Sequence, residues 1–350
     1  MKIVVIGAGL IGTSIALGAK RAGAEVELLD VDGRAEALAN DLLSKDRSDQ
    51  RISNPDLVVI ATPTNALPTV TESYKTLYPK STFIDIGSTK TKVKVEVEKD
   101  IEFSTRFCPT HPMAGRELDG AEAAQSDLFV GKSWVITPLA KTSEASIALT
   151  KELIEKLGAR VILMSVEEHD AAVATVSHLP QIISSLLASQ LNGKSSQYLT
   201  LAGSGVMDTT RIAGSNPELW QEILNLNKEA LLPLLKDFQS DLSNLIENFN
   251  VKDILESGRK GRQLLPGKHR SASRDYTYLP VVLEDKPNQL AALFDECAIA
   301  NVNVEDISIE HSPEQETGLV LLALSANSAA VLQKHLAAGG WRVHPPRSEK

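Results

Sequence analysis

Cysteine is nearly absent from this 350-residue chain, with only Cys108 and Cys297, far apart. That scarcity argues against a disulfide framework or a thiolate metal cluster and fits a reducing cytoplasm. Basic clustering is also missing. Forty-five acidic residues stand against 36 basic ones, for a formal charge of -9, and no block of lysine or arginine is long enough to track a phosphate backbone, which argues against nucleic acid as a partner. No stretch reaches the roughly 18 to 20 unbroken apolar residues of a membrane span. The apolar start after Lys2 is interrupted by glycines at 7, 9, 12 and 18, which suit another purpose better than a signal peptide. What remains is ordinary globular composition, 43% hydrophobic and 23% charged, on a chain long enough for two or three domains.

The purpose of those glycines is legible in KIVVIGAGLIGTSIALGAKRAGAEVELLD. A short apolar strand runs into Gly7, Gly9 and Gly12, a helix follows, and a second strand ends at Asp30, 18 residues after the third glycine. This is a dinucleotide-binding βαβ unit. Gly7 permits the tight turn, Gly9 lets the backbone approach a pyrophosphate, and Gly12 lets helix and strand lie close. Leu10 and Ile11 open the helix whose N-terminus faces the phosphates. Asp30 can accept from the adenosine ribose hydroxyls and repels a 2'-phosphate, so NAD is favoured over NADP. DLVVIATP (56–63) and STFIDIGST (81–89) repeat the theme of a strand running into a small-residue loop. Thr62, Pro63, Gly87 and Ser88 are thus either candidates for the nicotinamide side or plain turn residues. Strands at 133–139 and 158–165 complete a domain spanning 1–165.

From 166 to 257 the pattern becomes that of long amphipathic helices, separated by the polar loop LAGSGVMDTTRIAGS. Arg211, in that loop, is the only arginine of the region. A guanidinium there either forks onto a substrate carboxylate or serves as a capping or interhelical ion pair. His178, in SHLP, is either a buried or capping group or a catalyst. His169, with acids on both sides, reads as well for a solvent-facing or domain-bracing residue as for a functional one. His111, in CPTHPMAGRELDG, is either part of a packed loop or a base.

GAGLIGTSIA, DIGSTK, THPMAGRELDG, SHLPQ and MDTTRIAGSNPELW occur in an order and spacing over residues 1–257 that resemble the prephenate/arogenate dehydrogenase family of tyrosine biosynthesis. The resemblance implies an NAD-type domain joined to an all-helical domain that dimerises, with the active site between them. It implies oxidative decarboxylation of a cyclohexadienyl ring, to 4-hydroxyphenylpyruvate from prephenate or to tyrosine from arogenate. His111 matches the catalytic histidine, and a pKa near 6.5 suits a base at neutral pH. Ser88 matches a serine beside the 4-hydroxyl, Arg211 the arginine that receives a substrate carboxylate, His178 the first histidine of the family's SHLPH motif, and Glu117 an acid near the entrance. Gln181 stands where many members carry a second histidine. It can hydrogen bond but not become cationic, which bears on the support of Arg211 and on the choice of substrate.

Residues 258–274 are basic and glycine-rich and read as a linker. Beyond it, over 275–350, alternating strands and helices follow the order βαββαβ, a ferredoxin-like unit, and EDKPNQLAALFDECAIANVNVEDISI resembles an ACT domain, an amino-acid-binding regulatory module. Asn288 replaces the turn glycine expected there, and asparagine tolerates left-handed backbone. Asp285, Asn288, Gln289 and Asn303 are the effector candidates, tyrosine the expected effector; a purely structural dimer module is the alternative.

The expected protein is therefore a cytoplasmic homodimer: an α/β Rossmann-type doubly wound sheet, an all-helical dimerisation and substrate domain, and a C-terminal ACT domain. Its expected activity is that of an NAD-dependent prephenate dehydrogenase, with no metal. Arogenate dehydrogenase is the alternative, and a silent sensor of NAD and amino acids the rival from another class. Another β-hydroxyacid-type dehydrogenase is disfavoured, because such enzymes place a lysine on the second domain's helix and none precedes SHLP in that way.

Overall fold

Strand β1 (Lys2–Ile6) is apolar on both faces: Ile3 and Val5 enter one core, Val4 and Ile6 another. Strand β3 (Leu57–Ile60) divides in the same way, Leu57 and Val59 from Val58 and Ile60. A sheet buried on both sides needs such strands, and parallel strands need helical crossovers to supply the cover. A computed structural model, which describes residues 1–43, 51–115, 120–265, 276–310 and 317–347, carries that arrangement. Four parallel strands run in the order β2-β1-β3-β4, with β2 at Glu25–Leu29 and β4 at Thr82–Asp85. Helices α1 (Leu10–Arg21), α2 (Gly33–Leu43), α3 (Leu67–Lys75), α4 (Thr91–Val97) and α5 (Ile101–Thr105) connect and cover them. A parallel bridge between Phe83 and Phe107 leads to a second sheet. There β5 (Thr110–Pro112) pairs antiparallel with β6 (Ser133–Ile136), which pairs parallel with β7 (Arg160–Leu163) beyond α6 (Glu144–Lys156).

Helix α7 (Val166–Val173) passes through a π turn, Ala174–His178, into α8 (Leu179–Ser189) without a break. Pro180 explains the wide turn, because it has no N–H to give to the carbonyl four residues back. The turn also resets the helix face. At about 100° per residue, Asp170 and His178 would stand about 80° apart; one residue absorbed by the π turn brings them within about 20°. By length and composition Val166–Ser189 is apolar enough to cross a membrane, although its apolar residues are interrupted by Glu167, Glu168, His169 and Asp170. Yet it buries His169, Asp170, His178 and Gln181, while Val176, Leu186 and Leu187 are exposed.

The chain continues through α9 (Ser196–Leu199), α10 (Ser204–Thr210), a 3-10 turn at Arg211–Gly214, α11 (Pro217–Leu226) and α12 (Lys228–Asn248). Residues Met1–Leu242 form one compact unit and Ser243–Lys350 another. In the second, α13 (Val251–Gln263) is helical beyond 258, where the sequence reading begins a linker. Gly258 and Gly261 suggested a break there, but apolar residues at 251, 254 and 255 carry the helix forward.

The rest of this unit consists of β8 (Thr277–Glu284), α14 (Gln289–Ile299), β9 (Asp306–Glu310), β10 (Thr317–Leu324), α15 (Ala326–Ala338) and β11 (Arg342–Val343). The antiparallel sheet order β11-β8-β10-β9 is that of the ferredoxin-like βαββαβ unit. Leu279, Val281 and Leu283 on its inner face pack with Leu293 and Cys297 of α14 and Leu332 and Leu336 of α15. Asn288 adopts φ 71° at the start of α14, so asparagine does occupy left-handed backbone where a glycine was expected.

Candidate active site

The glycine loop is shaped by close approach. Gly7 has φ +118°, and a Cβ there would lie 2.4 Å from the Ala61 carbonyl oxygen; one on Gly12 would lie 2.0 Å from that of Gly7. Gly9 differs, since nothing lies within 4 Å of the corresponding position. It begins α1 without any side-chain cap. Open space beside an uncapped helix N-terminus is what a pyrophosphate requires. Leu10 is buried in the core and Ile11 packs against it, so the side chains of both are taken up by packing. The Asp30 carboxylate accepts from the Ala8 amide at 2.6 Å and the Asp32 amide at 2.8 Å. It thus braces the loop while keeping lone pairs for ribose hydroxyls. Thr62 and Pro63 follow β3 on the neighbouring loop, where the Glu222 carboxylate of α11 accepts from the Asn65 amide at 3.1 Å and from its side chain at 3.2 Å.

His111 lies in β5, opposite Val135. Behind it, Lys90 is fully buried and pairs with Asp85, and its ammonium also donates to the Thr110 carbonyl at 2.6 Å. Asp85 accepts from the Gly87 amide at 2.9 Å and Thr110 Oγ1 donates to the Asp85 carbonyl at 2.6 Å. The strand that carries His111 is thereby pinned to the end of β4. Burial pulls the Lys90 pKa down, against the attraction of Asp85.

His111 Nδ1 is 2.9 Å from His169 Nε2, and His169 Nδ1 is 2.8 Å from Asp170 Oδ1. His169 is wholly buried, so the solvent-facing role is discarded, and the domain-bracing and functional ones remain. Burial alone would raise the Asp170 pKa, but hydrogen bonds from His169, Thr91 and the Lys90 and Thr91 amides outweigh it and hold the group at about 2. Asp170 is therefore a carboxylate, and its neighbour His169 Nδ1 must be the donor. In the neutral pair His169 Nε2 then accepts from His111 Nδ1–H, which leaves Nε2 of His111 as a bare acceptor. The His111 pKa lies well below 6.5, pushed down first by burial and then by His169, Lys90 and His178, with Asp170 opposing. The sequence-based value near 6.5 is corrected accordingly: His111 is neutral throughout the physiological range.

His178 is buried at the end of the π turn, its ring edge-on to Trp220 at 6.1 Å between centroids. Burial first, with His169 adding and Asp170 opposing, lowers its pKa to about 4. One turn on, Gln181 Nε2 donates to the Ile212 carbonyl at 2.9 Å. A glutamine here does support the turn that carries Arg211, by holding its backbone. Ser184 Oγ does the same at the Thr209 carbonyl, 2.8 Å away. A cavity of about 490 Å³ opens beside Gln181, Ser185, Ala213, Ser215 and Trp220, and its lining side chains are uncharged.

The structure thus joins His111 and His178 through His169, Asp170 and Asn227, and joins Gln181 to the Arg211 turn. Ser88 is half-buried on the loop whose next residues, Lys90 and Thr91, bind Asp170. Glu117 lies outside the described residues. The four effector candidates are not brought together. Asp285, Asn288 and Gln289 follow the end of β8, whereas α14 returns the chain so that Asn303 precedes β9 at the opposite end of the sheet. The sequence reading left Lys90, Asp170, Asn227 and Trp220 unnamed. For Asp170 the neighbouring EEHD motif was the available signal; for Lys90 it was DIGSTK. Cys108, beside the histidine motif, is inert, its thiol pushed up to about 12 by burial.

Residues 15–163 match the family model "Prephenate dehydrogenase, nucleotide-binding domain", and residues 165–256 match "Prephenate dehydrogenase, dimerization domain". A prephenate dehydrogenase of Bacillus subtilis is 28% identical over 93% of this chain and 92% of its own. A cyclohexadienyl dehydrogenase of Zymomonas mobilis is 34% identical over 69% of this chain and 86% of its own. The crystal structure of prephenate dehydrogenase from A. aeolicus, in complex with hydroxyphenyl propionate and NAD+, has a TM-score of 0.67 at 28% identity, covering 75% of this chain and 98% of that one. Synechocystis arogenate dehydrogenase gives 0.63 at 30% identity, covering 75% and 97%. The two matched regions together span more than half of the chain and contain the His111 strand, His178 and Arg211, and the chain belongs to the prephenate dehydrogenase family.

Proposed function

We propose that this protein is an NAD-dependent prephenate dehydrogenase that oxidatively decarboxylates prephenate to 4-hydroxyphenylpyruvate. The observation that carries the reading is the chain Asp170–His169–His111 with its bare acceptor at His111 Nε2. NAD, when bound along the glycine loop, supplies the acceptor for the hydride leaving the hydroxyl-bearing ring carbon. His111 Nε2 takes the hydroxyl proton. As it becomes an imidazolium, it donates through Nδ1 to His169, which Asp170 holds in the accepting orientation. Lys90 keeps the strand in place through the Thr110 carbonyl. Ser88 orients the hydroxyl, and Arg211 pairs with a substrate carboxylate. Loss of carbon dioxide makes the ring aromatic and needs positioning more than further acid–base help.

Prephenate is favoured over arogenate by charge. The cavity beside Gln181 is lined by uncharged side chains, and an ammonium brought there would lack a counter-charge, whereas a keto group needs only hydrogen bonds. Helices α8, α11 and α12 carry exposed Leu186, Leu187, Leu219, Leu232 and Phe238, in keeping with a homodimer built on the matched dimerization region. The C-terminal unit serves as an ACT domain responsive to tyrosine; its sheet order and the left-handed Asn288 support this reading. Two free, buried cysteines suit a cytoplasmic protein.

The test is NADH formation by the full chain with NAD and either prephenate or arogenate, each with and without tyrosine. Faster turnover of prephenate is expected, slowed by tyrosine. Preference for arogenate would reverse the substrate assignment, and silence with both would sink the enzymatic one.

A further inference from the structure

Asn227 sits between α11 and α12, is 4% exposed, and belongs to none of the motifs that mark the site. Its Nδ2 is 2.8 Å from the Asp170 carbonyl oxygen and 3.0 Å from His178 Nδ1. A carbonyl oxygen can only accept, so the atom facing it must be the amide nitrogen; this settles the orientation of the side chain. One amide hydrogen goes to Asp170. The other faces His178 Nδ1, which must present a lone pair to it. A neutral imidazole with a bare Nδ1 carries its proton on Nε2. Both contacts require Asp170 and His178 on one helix face, which is what the π turn at Ala174–His178 provides.

We propose that Asn227 is a positioning residue that locks His178 in the Nε2–H tautomer, making it the neutral hydrogen-bond donor of the site toward an anionic group of the substrate. The site then holds two neutral imidazoles of opposite sense. His169 sets His111 as an acceptor, for the proton; Asn227 sets His178 as a donor, for an anion. Asn227 also ties the two together, because the backbone it holds is that of Asp170, the last member of the His111 chain. This inference rests on the reading of the protein as a prephenate dehydrogenase.

The experiment is a long-range proton–nitrogen correlation spectrum of the 15N-labelled full chain at neutral pH, with the His178 signals identified by their loss in His178→Gln. The expected pattern has a bare Nδ1 and a protonated Nε2. In Asn227→Asp the carboxylate can only accept, so Nδ1 becomes protonated and the pattern inverts or becomes that of an imidazolium. Where the pattern inverts, Nε2 no longer donates, and KM for prephenate should rise about tenfold or more, as for a lost charge-assisted hydrogen bond; an imidazolium keeps Nε2–H, so a raised KM with that pattern overturns the donor role. A protonated Nδ1 in the wild-type chain overturns the lock, whatever the variant does. A switched tautomer with unchanged KM overturns the donor role. The spectrum is recorded without substrate, so it reports on Asn227 even if the wild type turns over neither acid, a result that counts against the functional reading and the donor role alike.

Discussion

His111 Nδ1 stands 2.9 Å from His169 Nε2, so the acceptor left to His111 is set by a residue 58 positions away on another element. On the proposed mechanism this makes His169 necessary for turnover without placing it on the substrate. His169→Ala should lower kcat by roughly a hundredfold or more, as losing general-base support does, while KM changes little. Steady-state kinetics check this; a rise in KM at unchanged kcat would mean that His169 serves binding instead.

The acidic limb of activity should fall well below pH 6.5. His111 must be neutral to accept a proton, and burial with three cationic or potentially cationic neighbours keeps it neutral. Stability has its own window. His178 titrates near 6.5 when unfolded and at about 4 when folded, so in between the unfolded chain binds more protons. Stability from this group is present above about pH 6.5 and lost as pH falls toward about 4. Urea unfolding from pH 7 to 4 measures it, and a flat profile would contradict the burial of a neutral His178.

Lys90 and Asp85 form a buried pair, the lysine wholly so. Removing one partner leaves the other charge buried, a loss typically of about 3–5 kcal/mol. Lys90→Met should therefore lower the unfolding midpoint sharply, and the variant should be less stable than Asp85→Asn combined with Lys90→Met. Equal stability of single and double variants would deny the ion pair that role.

Gly9 and Gly12 should fail differently. Ala at Gly12 meets the Gly7 carbonyl oxygen at 2.0 Å, whereas Ala at Gly9 meets nothing. Gly12→Ala is expected to depress Tm along with NAD binding. Gly9→Ala is expected to keep Tm within a few degrees yet weaken NAD binding, by calorimetry, because its methyl group occupies the space kept for phosphate. Normal NAD affinity in Gly9→Ala would move the pyrophosphate elsewhere.

Much of this was readable along the chain, and the reasons are local. The glycine loop, the βαββαβ order and the Asn288 turn are short-range patterns: a strand period, a turn residue, a helix after it. His111 and Arg211 stood out through their motifs. Lys90, Asp170 and Asn227 did not, since each matters through a partner distant in sequence: Asp170 binds the Lys90 amide 80 residues away, and Asn227 reaches Asp170 and His178 over 57 and 49 residues. The π turn was equally hidden. Pro180 was visible, but a helix period of 3.6 gave no hint that one extra residue would bring Asp170 and His178 onto one side. Asn303 lies at the opposite end of the sheet from the other effector candidates because α14 returns the chain, a separation that sequence proximity does not show.

The most direct test of the central claim is a double-mutant cycle on kcat/KM for prephenate with His111→Ala, Asp170→Asn and the two together. If Asp170 acts through His169 upon His111, the losses are far from additive: Asp170→Asn costs on the order of 10²–10⁴-fold alone and almost nothing more once His111 is gone. Losses that multiply would show that Asp170 and His111 act independently, and the relay would be contradicted.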